Sequence, residues 1–366
     1  MHLKSLTILN YKNLEQAEAL FSPKLNCFLG DNGSGKTNLL DSIYFLSFCR
    51  SYFSPVDLLN IRHGSEFFML KGSYFRNDDD ETVSCGYKSG QQKQFKRNQK
   101  TYKRLSDHIG LFPLVMVSPS DSVLISGGSE ERRRFMDSVI AQYDPVYLEA
   151  LIRYNKALLQ RNNLLKRFSE SGSFDAEMLL IYDEQLIIHG TIIFNKRTAF
   201  IQKLIPVFQE FYEFISGGKE NVVLEYISTL STDDYRTQLL ESVARDRASQ
   251  FTGIGIHKDD LNLLLGEHPI KKLGSQGQNK TYLVALKFAQ FEFLKLAADV
   301  KPILLLDDIF DKLDSNRVGK IIELVSEERF GQIFITDTNR EHLEKLIGDM
   351  NIEHAVFKIT DGKVTT

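Results

Sequence analysis

Gly30-Asp-Asn-Gly33-Ser-Gly35-Lys36-Thr37 matches the pattern G-x-x-x-x-G-K-[ST] at every fixed position. In such a loop the glycines let consecutive backbone N–H groups converge on phosphate oxygens. The lysine neutralises the β and γ phosphates, and the hydroxyl that follows it can ligate Mg²⁺. The flanks are those the loop needs. Lys24-Leu-Asn-Cys-Phe-Leu29 reads as a strand, and Leu39, Leu40, Ile43, Phe45, Leu46 and Phe48 make the stretch from Thr37 to Cys49 a buried helix. Strand, glycine turn and helix in this order predict a nucleoside triphosphate site.

A second segment completes that chemistry. Pro302-Ile-Leu-Leu-Leu-Asp307-Asp308 is an apolar strand ending in two acids, the form of a Walker B segment. Asp307 is expected to hold Mg²⁺ through water together with Thr37. Asp308 is expected to orient or deprotonate the attacking water, which makes Asp308 and Lys36 the catalytic pair. The guanine signal N-K-x-D is absent, since Asn195-Lys-Arg-Thr198 lacks the acid, so ATP is favoured over GTP.

Between Lys36 and Asp307 the chain is far longer than a compact NTPase needs, and the intervening sequence is of two kinds. From Phe67 to Val117 it alternates like strands, with a turn at Asp78-Asp79-Asp80-Glu81. From Ser129 it turns helical. Leu151, Leu158 and Leu165 recur at heptad spacing, as do the columns Leu179, Leu186, Ile193, Phe200, Val207 and Leu180, Ile187, Phe194, Ile201, Phe208. Ser169 to Asp175 separates two helices of an antiparallel hairpin, and Pro206 is expected to kink the second or start another. After Gly217-Gly218 strands return at Asn221 to Ile227 and at Gln332 to Thr336.

The predicted architecture is an α/β P-loop NTPase head of the ABC-ATPase type, a mixed sheet with flanking helices, carrying an inserted and mainly α-helical second lobe. Residues 1–128 form the first half of the head, 129–218 the arm, and 219–366 the second half.

In that second half Leu273-Gly-Ser275-Gln276-Gly277-Gln278 is a glycine-serine turn opening a helix ahead of the acids. It has the form of the ABC signature, in which Ser275, Gln276, Gly277 and Gln278 cap the γ-phosphate of ATP bound to the opposite subunit. Asp311-Lys-Leu313-Asp314 has the place and composition of a D-loop. The strand ending Thr336-Asp337-Thr338 carries Asp337 or Thr338 where such heads have a switch histidine, which predicts slow hydrolysis.

Composition narrows the class. The formal net charge of −3 excludes a generally basic nucleic-acid binder, so any DNA contact is a local patch. Lys88 to Arg104 supplies one candidate, with Lys93, Lys96, Arg97, Lys100, Lys103 and Arg104 and no acid among them. Arg153, Lys156, Arg161, Lys166 and Arg167 on the arm read as the polar face of a helix. Cys27, Cys49 and Cys85 are odd in number and far apart, which argues for reduced buried thiols. No run of about 18 apolar residues is present and the start lacks an apolar signal core, so a cytoplasmic location is expected. His257, Asp259 and Asp260 read as hydrogen-bonded structure rather than a metal site.

With these motifs in place the chain resembles the RecF family along nearly its whole length. Leu9-Asn10-Tyr11-Lys12-Asn13 matches the family turn N-[FY]-[RK]-N. Arg50-Ser51-Tyr52-Phe53 is similar to R-S-F-R, with Phe for the last Arg. Arg132-Arg133-Arg134-Phe135-Met136-Asp137 is similar to R-R-x-[FL]-[LM]-D. Gly255-Ile-His257-Lys258-Asp259-Asp260 is similar to G-P-H-R-D-D, with Ile and Lys as departures, and Ser275 to Gln278 is the family's S-Q-G-Q.

The resemblance implies nucleotide contacts from Lys12, Asn13, Gly30, Asp31, Asn32, Gly33, Ser34, Gly35, Lys36, Thr37 and Asn38. It implies ATP and Mg²⁺ as ligands, an ATP-dependent homodimer, and binding to duplex DNA near single-strand gaps. It also implies RecR and RecO as partners, help in loading RecA, and a place in DNA repair, replication and the SOS response. A competing reading of the same motifs is an ABC-type module that acts on a protein partner instead of DNA. A metabolic P-loop kinase is disfavoured by the signature turn.

Overall fold

The helix Lys36–Phe48 decides the layering of the part of the chain that contains it. Leu39, Leu40, Ile43, Phe45 and Leu46 are all fully buried, so the helix is apolar on more than one side and needs cover on both. Two six-stranded sheets supply it, and the helix touches strands of each. One sheet is antiparallel, in the order Leu14–Leu20, His2–Tyr11, Phe67–Arg76, Asp79–Lys88, Gln94–Arg97, Lys100–Thr101. In the other, Leu114–Val117, Ile303–Asp307, Ile333–Asp337, Leu25–Leu29 and His354–Thr360 run parallel, and Lys363–Thr365 closes the edge as an antiparallel hairpin strand. Phe28, Phe334 and Phe357 from three neighbouring parallel strands pack with Phe21 in the core beside the helix. Strands buried on both faces read as continuous apolar runs, as Ile303–Asp307 does.

The computed structural model describes residues 1–218, 220–232, 234–310, 313–338, 348 and 353–365. The chain divides into two compact units. The first comprises Met1–Asp121, Phe214–Ser216 and Gln276–Thr366, and the second Ser122–Glu213 and Gly217–Ser275.

The second unit is larger than the arm read from sequence. The stretch from 219 to 275, assigned on sequence to the head, packs in the second unit instead. There Val222–Ile227 pairs with Asp260–Leu265 in a three-stranded sheet of its own, and the helix Ser129–Ile140 packs on Asp260–Leu265. The helices Pro145–Ser171 and Ala176–Ser216 form the expected hairpin, capped by Asp144 and Asp175, whose carboxylates accept from Tyr147 N and Met178 N. Leu179, Leu186, Ile193 and Phe200 are buried as the first heptad column predicts. Pro206 lies inside one unbroken helical segment and starts no new one.

Two further readings change. The acidic turn shifts back to Asn77 and Asp78, which take the left-handed backbone of a tight hairpin, and Asp79, Asp80 and Glu81 lie in the strand that follows. Arg161 does not belong to the polar face of its helix. It is fully buried, with Asp183 and Asp246 each at 2.6 Å. The three cysteines are buried free thiols, and burial pushes Cys27 and Cys49 up to about 12. Among the described residues no helix is long and apolar enough to cross a membrane.

Candidate nucleotide site

The loop Gly30–Thr37 joins the strand Leu25–Leu29 to the helix Lys36–Phe48, all within the first unit. Gly35 has φ 119°, and a Cβ there would press on Asn13 and Leu14, so only glycine fits. Lys36 is buried, and its Nζ donates to the carbonyls of Gly30 at 2.7 Å and Asp31 at 3.0 Å, which fixes the ammonium over the loop. Asp31, Asn32 and Gly33 stand exposed at the crest. Asn13 Nδ2 donates to Gly33 O at 3.3 Å and Asn38 Nδ2 donates to Asn13 Oδ1 at 2.8 Å, so both polar side chains brace the loop.

The two halves of the motif set converge. Thr37 Oγ1 donates to both Asp307 oxygens, at 3.0 and 3.1 Å. Asp307 also accepts from Thr336 Oγ1 at 2.9 Å, on the neighbouring strand, and from Ser118 Oγ at 3.4 Å, just past the end of the strand on the other side. Burial raises the Asp307 carboxyl above its usual range, and the Thr336 and Thr37 hydroxyls partly offset this. A buried carboxylate beside a hydroxyl is an oxygen donor set suited to a hard divalent cation, whose charge would favour the ionised form. Asp308 takes a left-handed backbone, φ 45°, with its N–H donating to Thr336 Oγ1 at 3.0 Å. Thr336 therefore fixes both acids.

The helix Gln276–Ala298 starts directly after the exposed Ser275. Lys280 Nζ donates to the Asp308 carbonyl at 3.3 Å, and Arg317 Nη1 donates to Thr281 Oγ1 at 2.6 Å while pairing with Asp314 at 3.2 Å. The helix Gln276–Ala298 is thus tied to the acid pair and to the segment after it. Asp311 and Lys312 of the D-loop lie outside the described residues. Asp337 is buried at its strand's end and Thr338 is exposed.

Lys12 is placed differently from the loop residues. Its ammonium pairs with the buried Asp41 at 2.6 Å, and Asp41 also accepts from Tyr11 OH, Ser51 Oγ and Tyr52 N, each at 2.7 Å. Sequence reading missed Asp41, Ser118 and Thr336. An acid inside an apolar helix was the one available signal.

It also missed the C-terminal turn. Gly362 N donates to Ser34 O at 2.9 Å, and a Cβ on Gly362 would lie 2.4 Å from the Asn13 carbonyl oxygen.

The basic run is only partly free. Lys93 is held by Asp57 at 2.8 Å and by the Cys49 carbonyl at 2.7 Å, so it is a structural cation and not part of an open patch. Arg97 is committed to the buried Glu81, which also pairs with Arg76, and Arg104 pairs with Asp107 at 3.0 Å. Lys100 and Lys103 are exposed and Lys96 half-buried, with no carboxylate partner among the described residues. His257 is a structural histidine, as expected. Its Nδ1 meets Tyr154 OH at 2.8 Å and its Nε2 meets the Thr252 carbonyl at 3.0 Å.

Known proteins place this geometry. Residues 2–363 match the family described as RecF/RecN/SMC N terminal domain. The DNA replication and repair protein RecF of Phocaeicola vulgatus is 57% identical over 367 residues, covering 100% of this chain and 98% of that one. The protein of the same name from Flavobacterium johnsoniae is 51% identical over 98% of this chain and all of its own. Among solved structures, the recombination mediator protein RecF-ATP superposes with a TM-score of 0.89 at 30% identity, covering 100% of this chain and 97% of that one. An Smc head bound to the C-winged helix domain of ScpA shares the fold, with a TM-score of 0.59 at 16% identity over 100% of this chain and 97% of its own. The chain belongs to the RecF family of DNA replication and repair proteins, within the RecF/RecN/SMC group.

Proposed function

We propose that this protein is an ATP-operated switch on DNA, in which nucleotide binding closes two copies around ATP and the closed dimer holds duplex DNA beside single-strand gaps. The observation that carries the reading is the meeting of Thr37 and Asp307 at 3.0 Å from opposite ends of the chain, which supports a cation site beside the phosphate loop. The solved RecF-ATP structure, at 30% identity over the whole chain, supports ATP as the ligand.

In this reading the Gly30–Thr37 backbone and Lys36 hold the phosphates, with Lys12, Asn13 and Asn38 bracing the site. Mg²⁺ held by Thr37 and Asp307 would neutralise phosphate charge. Asp308, at the end of a constrained turn, orients the attacking water. Ser275 to Gln278 complete the site of the opposite copy. Asp337 or Thr338 stands where a switch histidine would sense the γ-phosphate, so hydrolysis is slow and ATP acts chiefly as a clamp. The two ends of the chain build the head and the second unit is its insertion. Action with RecO-like and RecR-like mediators to load RecA, in the cytoplasm, follows from the family.

The test is light scattering on Asp308→Asn with and without ATP and Mg²⁺, followed by gapped duplex. The expected result is a monomer that becomes a dimer only with ATP and then retains DNA. Ser275→Arg should bind ATP yet stay monomeric. A dimer that forms with ATP but ignores DNA at low salt would move the assignment to an ABC module acting on a protein. A monomer indifferent to ATP would overturn it.

A further inference from the structure

The hydroxyl of Thr336 occupies a position in the nucleotide site that no sequence motif predicts. Thr336 is fully buried in the strand Ile333–Asp337, which lies between Leu25–Leu29 and Ile303–Asp307, and Asp307 is its register partner. Ladders on both sides fix its backbone, so its side chain is an anchored point. A threonine hydroxyl has one proton to give and lone pairs to accept with. Here the proton goes to Asp307 Oδ1 at 2.9 Å, and the oxygen accepts from Asp308 N at 3.0 Å.

The two bonds differ in what their loss would do. Asp307 also accepts from Thr37 and Ser118, so its carboxylate keeps two donors when Thr336 is removed. Asp308 is held through its main chain, its N–H by Thr336 and its carbonyl by Lys280 Nζ at 3.3 Å. It takes φ 45°, a conformation uncommon for a residue with a Cβ and kept where its surroundings impose it. Without the Thr336 hydroxyl, the peptide that joins the two acids is free to turn. Asp337 and Thr338 stand at the switch position, yet the group bonded to both acids is the residue before them.

We propose that Thr336 is a positioning residue for ATP hydrolysis: by holding the Asp307–Asp308 peptide it aims the Asp308 carboxylate at the attacking water, and so sets how long the ATP-bound dimer lasts. The proposal rests on the ATP-switch reading and names what paces the switch. In the step concerned the water oxygen bonds to the γ-phosphorus as the bond from that phosphorus to the bridging oxygen breaks. ADP departs with the bridging oxygen, and the water proton passes to the Asp308 carboxylate. Phosphate binding falls to the Gly30–Thr37 backbone and Lys36, so Thr336 acts on turnover and not on ATP affinity.

The experiment compares the full chain with Thr336→Val, which keeps the shape and removes the hydroxyl, and with Thr336→Ser, which keeps the hydroxyl. Hydrolysis of ATP with Mg²⁺ is followed by phosphate release, ATP affinity by calorimetry, and dimer lifetime by light scattering after an excess of ADP is added. Thr336→Val should lower kcat by about tenfold or more, hold KM and ATP affinity within roughly threefold, and lengthen the dimer lifetime. Thr336→Ser should restore kcat to within roughly threefold of the wild type. If Thr336→Val loses its cooperative melt, Thr336→Cys takes its place, since a thiol of similar size is a weak donor, and should show the same split in smaller measure. Unchanged kcat in the valine variant, a serine variant as slow as valine, or a fall in ATP affinity equal to the fall in kcat would overturn the proposal. In each of these cases a wild type that still dimerises with ATP leaves the switch itself standing. A wild type that binds no ATP would overturn both.

Discussion

Lys287 and Asp121 form an ion pair at 2.8 Å in the interior of the first unit, with side chains only 6% and 5% exposed. Tyr52 joins it, donating to Asp121 and accepting from Lys287 at 3.2 Å. The other Asp121 oxygen accepts from Ser118 N at 2.8 Å, and Ser118 Oγ reaches Asp307. Lys287 lies on the helix that begins at Gln276, and Asp121 is the last residue before the chain enters the second unit. The pair therefore fixes, within the first unit, both of these segments relative to the Asp307 carboxylate.

Removing one partner of a buried pair leaves the other charge uncompensated. Lys287→Met should cost about 3–5 kcal/mol of stability by chemical denaturation. Adding Asp121→Asn should recover much of that loss, because neither charge then remains. Equal stability of the single variant and the wild type would show that water reaches the pair.

A pH dependence follows from His108. Its Nε2–H donates to the Leu46 carbonyl at 2.7 Å and its Nδ1 accepts from Tyr102 OH at 3.1 Å, so the neutral ring has both partners. Burial lowers its pKa from 6.5 to about 4. The folded value is depressed, so between about pH 6.5 and 4 the unfolded chain binds a proton that the folded chain refuses. Stability should fall as the pH falls through that window, by about 1.4 kcal/mol per pH unit for this one group. His257, also lowered to about 4 by burial, adds the same sign. Asp307, Asp259 and Asp183, raised by burial, act in the opposite direction. The difference between wild type and His108→Gln cancels those groups. Urea midpoints from pH 6.5 to 4.5 should show a shallower decline for the variant, and parallel curves would refute the assignment.

How much of this was legible in sequence depends on whether a role follows from local order or from a partner. The loop Gly30–Thr37 and the acids at 307 and 308 were readable because their chemistry demands fixed neighbours. Thr336 and Ser118 were not, since they matter only through parallel strands that set Thr336 opposite Asp307 and place Leu114–Val117 on its other side. The stretch 221–227 was readable as a strand, but nothing in it names its neighbours: it pairs with Asp260–Leu265, and that strand packs against the helix Ser129–Ile140 in the second unit. Charge misleads in the same way, as Lys93 looks like Lys100 until Asp57 is seen beside it.

The C-terminal hairpin supports a test of the phosphate loop from outside the motif. Gly362 has φ 76° and its N–H holds the Ser34 carbonyl, with no room for a Cβ against Asn13. Gly362→Ala must push the turn off the loop or strain it, at about 1–2 kcal/mol. Calorimetry should then show ATP binding weakened by roughly tenfold, with melting shifted by only a few degrees. Unchanged affinity would mean that the loop holds its shape alone.

The basic hairpin divides into cations that hold structure and cations that face solvent, and salt separates them. Removing a side chain that neutralises one phosphate lowers the slope of log K against log salt by about one. Lys100→Ala and Lys103→Ala should each do this on gapped duplex with ATP present, while leaving urea midpoints within error, because neither side chain has a carboxylate partner among the described residues. Lys93→Ala should do the reverse. It removes the ion pair with Asp57 and the bond that caps the Cys49 carbonyl, where the helix Lys36–Phe48 ends in a left-handed residue, so it should cost about 1–3 kcal/mol. Its salt slope should match the wild type. If instead Lys93→Ala flattens the slope and Lys100→Ala does not, the DNA lies along the Asp57 side of the hairpin and the Lys93–Asp57 pair must open to admit it.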